Sequence, residues 1–131
     1  MENDPIKQML RLARWLFLLN AAVWMVFAVL GFVRAGAGAG NWRLVQSMLM
    51  LVNAVVMAWF GLQIDNGRAW VFFLAITYLA LNVVLSITDQ FGWFDALILL
   101  LNLALLGLLF VTRQRMIQAT RNSRVVDKHS P

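Results

Sequence analysis

Residues Leu44–Ile64 read LVQSMLMLVNAVVMAWFGLQI, 21 residues in a row without a charged side chain. Coiled into a helix at ~1.5 Å per residue, such a run is about as long as the hydrocarbon core of a bilayer is thick. Three more charge-free runs follow the same plan: Trp15–Val33 (19 residues), Ala69–Thr88 (20) and Ala96–Thr112 (17). Each of the four carries one asparagine, at Asn20, Asn53, Asn82 and Asn102. The fold class follows from the runs. The asparagines bear on what the fold is for.

The composition agrees with the runs. The chain has 131 residues, 62% hydrophobic and 13% charged, against roughly 45–50% and 25% in soluble domains. A chain this short has too much surface for its volume to bury that much apolar side chain away from water. The sequence therefore predicts an all-α membrane protein. Four transmembrane helices, at about 14–34, 43–64, 68–88 and 92–113, form an antiparallel up-down bundle. The connections RAGAGAGNWR, IDNGRA and TDQFGW are short, which makes consecutive helices antiparallel neighbours. The first run is longer than the apolar stretch of a signal peptide and reads as a retained helix.

Segments 1–13 and 114–131 flank this domain. In the first, Asp4 is placed to cap a helix and Pro5 suits its first position. Ile6, Met9, Leu10 and Ala13 then share one face, opposite Lys7, Gln8, Arg11 and Arg14, the pattern of an interfacial amphipathic segment. The second is a basic tail that begins by continuing the fourth helix and ends in disorder.

Charge sets the expected orientation. Lys7, Arg11, Arg14, Arg68, Arg113, Arg115, Arg121, Arg124 and Lys128 fall on one side, and only Arg34 and Arg43 on the other. This nine-to-two bias predicts that both termini are cytoplasmic, in a multi-pass protein of the cell membrane. Trp15, Trp59 and Trp70 then mark the inner interface, and Trp42 and Trp93 the outer one. The basic side is expected to meet anionic headgroups of the lipid bilayer. Orientation and lipid contact account for these charges, so nucleic acid is not an expected partner.

An amide in hydrocarbon needs a hydrogen-bond partner. Counted at ~1.5 Å per residue from the nearest inner charge, Asn53, Asn82 and Asn102 lie near mid-membrane. Asn20 lies nearer the cytoplasmic leaflet and is expected to be a separate polar position. Tyr78, Asn82 and Ser86 share one face of the third run. The candidate polar core or pocket is therefore Asn53, Tyr78, Asn82, Asn102 and Ser86. Two readings fit it: interhelical hydrogen bonds that fix which faces meet, or a small binding site near the midplane. Arg34 and Arg43 could form outer ion pairs with Asp89 and Asp95. On the second run, Ser47, Ala54, Ala58 and Gly61 form a stripe of small residues that allows another backbone to come close.

The same sequence argues against several chemistries. It has no cysteine, and its one histidine, His129, is two residues from the C-terminus. No catalytic residue, metal site or cofactor is expected. No acid or base sits deep in a run, which argues against a proton-coupled pump. In length and span count the chain resembles the small multidrug-resistance transporters and the dual-topology fluoride channels. It lacks the membrane-embedded glutamate of the former and the motifs of the latter, and its charge bias opposes dual topology, so no family follows. The expected function is that of a non-catalytic accessory or structural subunit, or a self-associating scaffold, in a homo-oligomer or larger membrane complex. The alternative is a small carrier or channel with its site at the midplane asparagines.

Overall fold

The structure is a computed structural model that describes residues 4–35, 41–88 and 93–128, and the side chains of 4–34, 41–85 and 96–122. Four helices account for nearly all of it: α1 (Pro5–Ala35), α2 (Asn41–Gln63), α3 (Ala69–Thr88) and α4 (Trp93–Lys128). Among the described residues there is no strand.

The helix ends obey local chemistry. Asp4 Oδ1 accepts a hydrogen bond from the Ile6 N–H at 3.0 Å, and Pro5 opens α1 where no backbone donor is needed. No helix break separates residues 13 and 14, so the amphipathic start and the apolar run form one helix of 31 residues. Between α2 and α3 the chain makes a 3-10 turn, Ile64–Asn66. Gly67 follows in the left-handed region at φ 62°, its N–H bonded to the Ile64 carbonyl at 3.2 Å. At the other end of the chain α4 runs on through the basic tail to Lys128. Leu108 to Ser130 contains neither Gly nor Pro, so no residue there breaks the helix.

Three helices are long and apolar enough to cross a membrane: Pro5–Arg34, Asn41–Asn66 and Ala96–Asn122. A shorter apolar helix covers Ala69–Leu85. Only 22%, 39% and 28% of the most apolar windows of the three long helices are buried, so most of their apolar side chains face outward. Val26, Val33, Leu49, Val52, Leu85 and Leu100 are among the exposed ones. An apolar exterior of this extent fits lipid as solvent better than water.

The helices pack unequally. α1 and α2 share the largest interface, α4 packs on both α3 and α1, and α2 and α3 approach closely at few points. The small-residue stripe explains the first of these. A Cβ on Gly31 would overlap Ser47 Oγ, and one on Gly61 would lie 3.1 Å from Phe17 Cβ. Ser47 and Ala54 are buried there. Rings fill the wider α2–α3 gap. Trp59 stands 6.0 Å from Trp70 between centroids, and Phe60 stands 5.7 Å from Tyr78. Phe17, Phe60, Met57, Phe72, Leu105 and Leu109 form the centre. Lipid offers no hydrophobic drive between helices, so close packing and hydrogen bonds decide which faces meet.

Candidate functional site

The candidate site is the polar material inside this apolar core. α1 brings Asn20 and α4 brings Asn102 to the α1–α4 interface, and both side chains are fully buried. Asn20 Nδ2 donates to Asn102 Oδ1 at 2.7 Å, across 82 residues of sequence. The same nitrogen lies 3.9 Å from Met57 Sδ of α2. One turn along α2 from Met57, Asn53 is buried at 8% exposure. Its Oδ1 accepts the Tyr78 hydroxyl hydrogen from α3. Asn82 turns back on its own helix, its Nδ2 donating to the Tyr78 carbonyl at 3.1 Å.

The hydrogen bonds sort these residues into two sets, Asn53 with Tyr78 and Asn82, and Asn102 with Asn20. The bonds do not join Asn53, Asn82 and Asn102 into one cluster. Depth counted along each chain segment is only one coordinate of a helix bundle. The other is which helices adjoin, and here α4 adjoins α1 while α2 meets α3. The amide within reach of Asn102 is therefore on α1, and the hydroxyl within reach of Asn53 is on α3. The short IDNGRA connection announces the α2–α3 adjacency, whereas the α1–α4 adjacency has no local sequence signal.

The remaining candidates are divided by what the structure describes. Ser86, Asp89 and Asp95 have side chains outside the described residues, so the outer ion pairs lie outside them too. Arg34 and Arg43 are exposed. The ion pair that is seen joins α1 to the turn after α2. Arg14 Nη1 lies 2.7 Å from Asp65 Oδ2, with the two side chains 43% and 39% exposed. The two residues are 51 positions apart, and no local pattern in the sequence links them.

The network leaves some capacity unused. Asn20 Oδ1, Asn53 Nδ2, Asn102 Nδ2 and the Trp24 indole N–H are buried without a hydrogen-bond partner. Each is a donor or acceptor in an apolar surrounding, where an unpaired group is costly. Two clefts open elsewhere. One, of about 500 Å³, is an apolar groove between α1 and α2 that runs past Ala21, Ala22, Ala54 and Ala58. The other, of about 520 Å³, lies between α3 and α4. None of the four asparagines lines either cleft. Among the described residues no group of three or more His, Cys, Asp or Glu side chains is placed to hold a metal ion. No family model matches the chain, and neither a curated protein nor a solved structure is detectably similar to it.

Proposed function

We propose that this chain is a small polytopic integral membrane protein of non-catalytic type, an accessory or scaffold subunit whose intramembrane amides bind its helices to one another. In this reading α3 crosses with the other three helices, neighbouring helices run antiparallel, and both termini are cytoplasmic. The close approaches of Gly31 to Ser47 and of Gly61 to Phe17 support opposite directions for α1 and α2. The nine-to-two distribution of basic residues supports the orientation. The observation that carries the functional reading is the Asn20–Asn102 bond, 2.7 Å long between two fully buried side chains. Amides committed to each other in a closed interface are fixing helix contacts. They are not facing a pathway.

A carrier or channel is the second reading, and the four unpaired buried atoms favour it, because a polar solute could use them. One experiment tests the orientation and a second separates the two readings. The chain has no cysteine, so Gln8→Cys, Asn41→Cys and Gln114→Cys each introduce a single label site. In intact cells a membrane-impermeant maleimide should label only Asn41→Cys. In liposomes, a solute flux that Asn53→Leu abolishes without lowering the melting temperature would overturn the scaffold reading. Loss of stability with no flux to lose upholds it.

A further inference from the structure

The cleft between α3 and α4 shares no residue with the amide network. Arg113, Ile117 and Arg121 line it from α4 at positions i, i+4 and i+8, a single stripe with a guanidinium on either side of an aliphatic chain. Met116 of α4 and Phe72 of α3 add an apolar wall. Ala69, the first residue of α3, also lines the cleft, so the positive end of that helix dipole lies beside the two arginines. Among the described side chains, neither Arg113 nor Arg121 forms an ion pair, and Asp65, two residues before the Gly67 that also lines the cleft, is paired with Arg14. Trp70, next to Ala69, lies 6.0 Å from Trp59 between ring centroids, the kind of aromatic pair that marks a membrane interface.

The cleft thus joins two arginines to an apolar wall in a volume of about 520 Å³. A free anion would use only the charge. An amphiphilic anion would use both. We propose that it binds an anionic phospholipid, with the phosphate between Arg113 and Arg121 and the first acyl carbons against Phe72, Met116 and Ile117. The proposal rests on the reading that the chain spans a bilayer with this end at the cytoplasmic face. A built site differs from a diffuse basic surface, because in a built site the position of the charge matters as well as the amount.

The test uses the full chain in nanodiscs of phosphatidylcholine with a minor fraction of phosphatidylglycerol. Native mass spectrometry counts the phosphatidylglycerol retained. The wild-type chain should retain one molecule. Arg113→Gln with Arg121→Gln should weaken retention roughly 30-fold, the effect of two basic residues near a charged lipid. Arg11→Gln with Arg115→Gln removes the same charge away from the cleft and should leave retention nearly unchanged. All four arginines are exposed, so the variants should keep their melting temperatures. Ile117→Gln should weaken retention with the charges intact. Equal losses in the two double variants would overturn the site in favour of diffuse attraction. Release of the lipid by millimolar inorganic phosphate, with Ile117→Gln indifferent, would reassign the cleft to a free anion and overturn the proposal. A chain that inserts and retains no phosphatidylglycerol refutes this inference alone. One that fails to insert also refutes the membrane reading beneath it.

Discussion

Replacing Asn20 and Asn102 with leucine, singly and together, tests the central contact. Leucine is close to asparagine in shape, so the change is mainly one of polarity. Asn20→Leu removes the 2.7 Å bond and leaves Asn102, fully buried, with no partner for either end of its amide. A hydrogen bond between membrane helices contributes ~0.6–2 kcal/mol. Leaving a buried polar group unpaired costs about 1–3 kcal/mol. The single variant should therefore lose about 1–3 kcal/mol. Asn102→Leu should lose slightly less, because Asn20 Nδ2 keeps its 3.9 Å contact with Met57 Sδ. The double variant strands nothing and also removes two of the three amide ends that are unpaired in the native protein, Asn20 Oδ1 and Asn102 Nδ2. It should return to within about 1 kcal/mol of the parent, since replacing both partners by apolar groups is nearly neutral. The measurement is equilibrium unfolding in detergent with SDS as denaturant, followed by far-UV circular dichroism. A double variant as unstable as the sum of the two singles would show that the amides do not act as a pair, and the reasoning would fail.

The other contacts give narrower tests. Tyr78→Phe removes the hydroxyl from Asn53, whose Nδ2 is already unpaired, and should lose about 1–3 kcal/mol by the same unfolding assay. Adding Asn53→Leu to it should recover part of that loss. Gly31→Ala places a Cβ against Ser47 Oγ and should lower stability by about 1–3 kcal/mol through overpacking. Ser47→Gly in the same chain should relieve it, which a shift in melting temperature would report. Asp65→Asn breaks the ion pair with Arg14 but should change stability by less than ~1 kcal/mol, because both side chains are about two-fifths exposed. That difference should vanish as salt is raised, and its persistence would show the pair to be more shielded than its exposure implies.

Much of the fold was legible along the chain because its causes are local. The helix start at Asp4 and Pro5 needs a side-chain acceptor and a residue without an N–H, and both are neighbours in sequence. The turn at Gly67 needs a residue that tolerates positive φ. The stripe from Ser47 to Gly61 foretells a close approach, because small side chains permit one whichever helix supplies it. Which helix supplies it is not local. α1 does so through Gly31 and Phe17. The extent of α4 has a local cause too, since the absence of Gly and Pro lets the helix continue through the basic tail to Lys128.

The candidate site shows the limit more sharply. Four asparagines in apolar runs, each in need of a partner because an amide has nothing to bond with in hydrocarbon, can be read along the chain. The partners themselves come from packing. Asn20 bonds Asn102, Asn53 accepts from Tyr78, and Asn82 returns to its own backbone. The physical reason is that helical period and rise fix a residue's face and its height on its own axis. Which helices lie side by side depends on the fit of whole surfaces: small residues between α1 and α2, rings between α2 and α3. The same division holds for the cleft at the start of α3. Arg113 and Arg121 are visible in sequence as two of many basic residues, and only the packing of α3 on α4 sets them around one apolar pocket.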